Sequence, residues 1–261
     1  MEAHKVRQRS ESFSDHFSQA RLFFQSMSPT EQEHIIAAYS FELGKVEREH
    51  IRAREVNEVL ANIDLQLAGR VATNLGLPAP KAGTVEPRNT TLKPSPALSQ
   101  MNLLADNIKG RKVAILVADG VDGASVDSIV KALQAESAHP KVLGPTCAPV
   151  KTAEGKQLAV DAAMNGLPSI AFDAVWVGGG QAAVQALSKD GVALHYLLEA
   201  YKHLKAMGGH DDAKTLFETL KLTADSGLLL GNDSKTLKAF IAAISKHRVW
   251  EREAAAKAIP A

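Results

Sequence analysis

Cysteine is nearly missing from this sequence: Cys147 is the single one in 261 residues. No disulfide can close within the chain and no cysteine-based zinc site can be assembled, so a reducing cytoplasm is the expected setting. Net charge is nearly missing too, because 30 Lys and Arg face 29 Asp and Glu. With no basic run to offset that balance, neither nucleic acid nor an anionic membrane is an expected partner. No segment approaches the roughly 18 apolar residues of a membrane span, and no signal-type apolar core follows the charged residues 1–9, so a soluble protein is expected. His-Glu-x-x-His is absent, and the nine histidines, His4, His16, His34, His50, His139, His195, His203, His210 and His247, show no paired spacing that would hold zinc.

What is present divides into three stretches. Residues 1–77 read as helices. Phe13, Phe17, Ala20, Phe23 and Phe24 recur three and four apart, an aromatic face read as core packing rather than as a cofactor platform. Ser28-Pro29-Thr30-Glu31 combines an N-cap, a proline at the first helical position and a capping-box glutamate. Behind it Ile35, Ile36, Tyr39, Leu43 and Val46 continue an apolar face, while Glu42, Lys45, Glu47, Arg48, Glu49, Arg52 and Arg54 supply a solvated one. Asp64 caps a last helix over about residues 65–75, and Gly76 is its left-handed stop.

Residues 78–110 carry Pro78, Pro80, Pro87, Pro94 and Pro96 with Gly83, Asn89, Thr90, Thr91 and Ser95, and are expected to run extended as a linker. Residues 111–261 alternate. Strands are expected at 112–118, 141–143, 204–207 and 228–230, helices at 124–135, after Asp190, at 211–220 and after Asp233, and a pair of short strands around Glu154-Gly155. Such alternation predicts an α/β fold with a doubly wound parallel sheet of flavodoxin-like arrangement.

Within that domain Asp173-Ala174-Val175-Trp176-Val177-Gly178-Gly179-Gly180 reads as a buried strand delivering a glycine turn. Ligands of open parallel sheets gather at such strand ends, so Gly178, Gly179 and Gly180 are candidate pocket residues. The triple glycine lacks both the Gly-x-Gly-x-x-Gly and the P-loop pattern, and tight packing is preferred over a nucleotide cradle. Asp211 or Asp212 is read as a helix cap rather than a metal ligand. Cys147, in a proline-rich turn, is read as an incidental thiol.

Two resemblances rest on these residues. Asp15-His16-Phe17-Ser18-Gln19-Ala20-Arg21-Leu22-Phe23, Ser28-Pro29-Thr30-Glu31-Gln32 and Asn62-Ile63-Asp64 resemble the helical region that follows the β-barrel of haem catalases, and Phe41-Glu42-Leu43 with Lys45-Val46 resembles its large-subunit branch. Residues 172–180 and 204–210 resemble the PfpI-type, class I glutamine amidotransferase-like superfamily, a domain that large-subunit catalases carry at their carboxyl end. The resemblance implies a parent reaction of hydrogen peroxide to water and oxygen on haem, a defence against oxidative stress. The distal histidine and asparagine and the haem-ligating tyrosine precede this region in the family, so no cofactor is expected in this chain. The nucleophilic cysteine of the PfpI-type enzymes would fall in Ala206-Met207-Gly208-Gly209-His210, which holds none, and the family's acidic residue would fall near Asp122; the resemblance therefore implies a vestigial pocket in which Asp119, Asp122, Met207, Gly208 and His210 join the three glycines. No catalytic residue and no metal ligand is therefore assigned. The expected role is stability or assembly of the parent enzyme, through self-association or the catalase core, or a chaperone-like holding of unfolded clients. The rival is a free-standing PfpI-like hydrolase or glyoxal-handling lyase.

Overall fold

A computed structural model of the chain describes residues 4–85, 92–222 and 224–259. Pro87, Asn89, Thr90 and Thr91 of the expected linker lie outside the described residues, as do the first three and last two positions of the chain. The contacts divide the chain into two compact units, Met1–Leu103 and Leu104–Ala261. Among the described residues no helix is long and apolar enough to cross a membrane.

The first unit is built from helices α1 (Ser18–Ser26), α2 (Pro29–Gly44), α3 (Glu49–Arg54), α4 (Ala61–Ile63) and α5 (Leu65–Asn74), with a π-helical turn at Glu55–Leu60 joining α3 to α4. Val56, Leu60, Leu67, Ala68, Val71 and Ala72 form its fully buried centre, and Phe24 and Ile36 close over it. Ser28 and Glu31 make the reciprocal capping box at the start of α2. The Glu31 carboxylate also accepts from Ser99 Oγ at 2.8 Å and from the Gln100 amide at 3.1 Å. Burial opposes its charge, but the hydrogen bonds from Ser28, Ser99 and Gln100 outweigh that and hold the carboxyl below its usual range. Residues 96–98 and 100–103, expected to run extended, instead form two 3-10 turns beside α1 and α2, because α2 offers them this partner. Arg21 donates to the carbonyls of Asn62 and Ile63, which end α4. The aromatic face differs from its expectation. Phe24 is buried and Phe17 half-buried, while Phe13 and Phe23 are exposed, since Phe13 lies ahead of α1, in a separate turn at Glu11–Ser14, and Phe23 points from the side opposite the core. The expected continuous helix past Val46 also breaks, with α2 ending at Gly44 and α3 starting after Arg48 in extended geometry.

The second unit has strands β1 (Lys112–Leu116), β2 (His139–Gly144), β5 (Ala162–Ala163), β6 (Ala174–Val177), β7 (Ala206–Gly209) and β8 (Leu228–Leu230) in one sheet, in the order β5, β2, β1, β6, β7, β8. Every pairing in it is parallel. A separate antiparallel pair, β3 (Val150–Lys151) with β4 (Gln157–Leu158), flanks the turn at Gly155. Helices α6 (Gly123–Ala135), α7 (Gln181–Leu187), α8 (Gly191–Lys202), α9 (Lys214–Thr219), α10 (Ser234–Ser245) and α11 (Glu253–Ala256) complete the unit. Apart from the two-residue β5, the order is that of a flavodoxin-like sheet, with the strand order reversing between β1 and β6. The centre is apolar on both faces, as crossover helices on two sides require: β1 from Val113 on and all of β6 are buried.

Three crossover helices end in the same way without a glycine. Ser137, Leu204 and Lys221 have φ of 58°, 59° and 53°. In each case the following amide bonds back to the first helical carbonyl of the motif: Ala138 to Leu133 at 3.0 Å, Lys205 to Ala200 at 3.0 Å and Leu222 to Phe217 at 3.2 Å. The expected strand at 204–207 is corrected by this geometry. Leu204 closes α8, and β7 runs over Ala206–Gly209.

Arg252 is the largest fully buried side chain of the unit. It pairs bidentately with Asp225 at 2.6 and 2.8 Å, donates to the Lys205 carbonyl at 2.6 Å and lies over the Tyr201 ring at 4.3 Å. Burial opposes the Asp225 charge, and the Arg252 hydrogen bonds overcome it and draw the carboxyl below its usual value.

Two predictions follow from these contacts. Arg252→Ala strands the Asp225 carboxylate in a buried site, and urea unfolding at neutral pH should show a loss of about 3–5 kcal/mol. A carboxyl depressed in the folded state adds stability that is complete above its ordinary value of 3.8 and is lost as pH falls through the folded value. Unfolding followed from pH 5 down should therefore show a shallower acid limb in the variant than in the parent. Ser137 is exposed, so Ser137→Gly should raise the unfolding free energy by up to about 1 kcal/mol, by removing the left-handed penalty on Cβ.

Candidate functional site

The strand β6 delivers Gly178, Gly179 and Gly180 to the reversal point of the sheet, where three other segments meet them. The Gly178 amide continues the ladder to the Leu116 carbonyl at 3.0 Å. Gly179 donates to Ser125 Oγ at 3.0 Å and accepts from the Asp122 amide at 2.9 Å, so it is tied to the first turn of α6. Gly180 donates to Asp212 Oδ2 at 2.9 Å, beyond β7. A Cβ on Gly179 would meet the His210 ring at 2.7 Å, and Gly180 has φ of +102° with the Gly120 carbonyl against the place a Cβ would take. Only glycine lets the β1, β6 and β7 turns converge this closely.

Asp122 spends its carboxylate on capping α6, accepting from the amides of Ala124 at 2.9 Å and Ser125 at 3.2 Å. His210 has its Nδ1 facing Asp212, accepting from that residue's amide at 3.4 Å, with Oδ2 of the same residue 3.2 Å away. Asp122 and His210 share the wall of a cavity of about 240 Å³ with Ser125, Ser128, Trp176 and Leu237, and Gly231 and Asn232 complete it. The Trp176 indole packs on Phe240, with ring centres 4.9 Å apart, and is 2% exposed. Its Nε1 has no hydrogen-bond partner among the described residues.

Of the candidates named from sequence, Gly178, Gly179, Gly180, Asp122 and His210 come together here. Asp119 does not line this cavity; it is exposed and accepts from the Lys151 amide at 2.8 Å, fixing the turn after β1 to β3. Met207 and Gly208 form no elbow. They lie inside β7, paired with Val175 and Trp176, with Met207 fully buried. Sequence reasoning missed Trp176 as a wall, and also Ser128, Asn232 and Leu237. The available signal was Asn232, which stands just past the carboxyl end of β8, where sheets of this class place ligand contacts.

The cavity holds no assembled nucleophile. Ser125 Oγ donates to the Asp122 carbonyl at 2.8 Å and receives the Gly179 amide, so its hydroxyl is committed to the turn. Cys147 is exposed and stands apart from the cavity lining. No group of three or more His, Cys, Asp or Glu is placed to hold a metal among the described residues. The arrangement has no group poised to form a covalent bond.

Comparison with known proteins accounts for both units. Residues 10–75 match the family described as catalase-related immune-responsive, and residues 109–254 match the C-terminal domain found in long catalases. Catalase HPII of Pseudomonas putida is 66% identical over the whole chain, which covers 36% of that protein. Catalase HPII of Pseudomonas aeruginosa is 54% identical over 98% of the chain and 36% of its own length, and Catalase-B of Dictyostelium discoideum 43% identical over 97% of the chain and 37% of its own. The chain thus spans little more than a third of the curated relatives it matches. With more than half of its residues in the C-terminal domain of long catalases, and the catalase-related helical segment in the order that architecture has it, this chain belongs to the large-subunit catalase family and represents its carboxyl-terminal region.

Proposed function

We propose that this region does not itself decompose hydrogen peroxide and that it serves a large haem catalase by stabilising and assembling it, with a holding activity toward unfolded chains when its helices are uncovered. The observation that carries the reading is the apolar surface of the first unit. Phe13 and Phe41 are 67% and 66% exposed, and Phe23 and Leu65 are each about half exposed. Side chains of this size left outside a unit that already has its own core mark a surface that meets another protein. Arg9 lies 6.0 Å from the Phe13 ring and Lys45 4.0 Å from the Phe41 ring, which keeps these faces compatible with water until a partner arrives. The partners are the catalase core or a second copy, and unfolded clients in their place. The single cysteine supports a reducing, cytoplasmic setting.

The residues present do not suit haem, the cofactor of the parent family. The three tyrosines are Tyr39 on α2, Tyr201 under the Arg252 guanidinium, and Tyr196 beside a cleft of about 450 Å³. That cleft is of the size that takes an ordinary small ligand, whereas a haem has about forty non-hydrogen atoms and needs an enclosed slot. No step of peroxide chemistry is therefore routed through this chain. For the rival hydrolase or lyase the cavity at His210 offers the hydroxyls of Ser125 and Ser128, each of which donates to a backbone carbonyl.

Two measurements test this reading. The purified chain from a haem-sufficient host should show no Soret band and no peroxide turnover above buffer; a Soret band with turnover overturns the non-catalytic assignment. The chain should bind a hydrophobic dye and delay the thermal aggregation of a client such as citrate synthase, and Phe13→Ser with Phe41→Ser should reduce both by at least about twofold. Dye binding no greater than that of an ordinary globular protein of this size, with no delay of aggregation, removes the holding role.

A further inference from the structure

We propose that His247 is an acid-sensitive latch: while neutral it holds the turn after α10 against the amino-terminal ends of β1 and β6, and a proton on its ring opens that turn. The inference does not depend on the assembly role above. It starts from what faces one nitrogen atom. Nδ1 of His247 lies 3.1 Å from Nη1 of Arg111 and 3.3 Å from Nη1 of Arg248. A guanidinium only donates, so Nδ1 accepts and the neutral ring carries its proton on Nε2. A proton on Nδ1 would set donor against donor at both contacts and place a third positive charge beside two.

The surroundings offer that charge one counterion. Asp173, just ahead of β6, already pairs with Arg111 at 2.8 Å and accepts the Lys112 amide at 2.8 Å. Lys205, ahead of β7, is 2% exposed and donates to the Ser169 carbonyl at 2.5 Å; it is repelled by Arg248 and attracted by Asp173 and by Glu199 of α8. His139, at the start of β2, meets the group through its amide, which donates to the Arg111 carbonyl at 2.7 Å, and its side chain is exposed. Burial, then Arg248 and Arg111, hold the His247 ring below its ordinary value of 6.5, with Asp173 opposing them.

A histidine held low in the folded chain adds stability that is complete above 6.5 and is lost as pH falls from there through the folded value. Two other shifted groups change state elsewhere. Lys205, lowered to about 8 chiefly by burial, is charged before that window opens, and Asp225 responds below its ordinary 3.8. What the latch holds is local. His247 has φ of 67° at the end of α10, and two residues on the Val249 amide donates to the Leu204 carbonyl at 2.7 Å, with the Val249 side chain in the space a Cβ on Gly227 would take. Opening the turn lifts Val249 from the amino-terminal ends of β7 and β8, while Arg252 stays anchored on Asp225.

Amide exchange of the full 261-residue chain, measured at about pH 7.5 and about pH 5.5 and corrected for the intrinsic pH dependence of exchange, reads this opening. Protection of the Val249 amide should fall at least about fivefold at the lower pH, while that of Val175 inside β6 holds. The His247 ring signal should titrate below 6.5. His247→Asn keeps an acceptor in the place of Nδ1 and suits the left-handed backbone, but takes up no proton. It should fold as the parent does and protect Val249 equally at both pH values. Arg248→Gln removes one repelling charge and should raise the ring's midpoint and shrink the Val249 response. A His247 midpoint at or above 6.5, equal Val249 protection at both pH values in the parent, or a loss of protection that persists in folded His247→Asn each overturns the proposal.

Discussion

The second unit depends on the missing side chains of Gly179 and Gly180. Two turns that follow two different strands are brought against this dipeptide: Asp122 and Ser125 after β1, and His210 and Asp212 after β7. One Cβ at 179 would push the His210 ring outward, and one at 180 would strike the Gly120 carbonyl in a backbone geometry that an L-residue resists. Widening either contact would separate α6 from the turn before α9 and open the cavity between them. The glycines are thus a clasp rather than a phosphate cradle, which is why they answer to neither nucleotide pattern.

This clasp also decides how much of the site could be read from the chain. The glycine run, Asp122 as a cap and His210 past a strand were all legible, because each is a local signal with a local cause. Trp176 was legible only as a strand residue. Its role as a wall depends on its register with Gly208 across β6 and β7, and no single-strand pattern encodes that pairing. The fold was more open to reading than the site, since alternating buried runs and capped helices announce a doubly wound sheet through their order along the chain. The beginning of β7 was misplaced because Leu204 carries the left-handed stop of α8. Leucine normally signals continuation of an apolar element, and here burial of its side chain compensates for a backbone state that is usually left to glycine.

In the first unit the corresponding constraint is electrostatic. Glu31 begins as half of a capping box, a purely local device; the oxygen that accepts the Ser28 amide also accepts Ser99 Oγ, and its second oxygen accepts the Gln100 amide, from nearly seventy residues away in sequence. The sequence shows the box but not the return of the chain to it. The same limit applied to the phenylalanines. Periodicity states which residues share a face, and it does not state whether the face is covered by this chain or awaits another. Phe24 and Phe13 sit on opposite sides of that distinction although both belong to one periodic series.

Crowding at the carboxyl end of β7 is built into the strand pair itself. A nucleophile on a sharp turn needs a side chain at the end of β7. At Gly208 such a side chain would lie 2.6 Å from Cζ3 of Trp176, and at Gly209 it would press on Ala213 at 2.8 Å. A cysteine at 208 without moving the indole, or at 209 without moving Ala213, would therefore fail on steric grounds. Trp176 and a nucleophile at 208 compete for one volume, and this chain gives that volume to the indole. The indole cannot lower a barrier for acyl transfer, but it can hold a flat surface and one N–H in a fixed position.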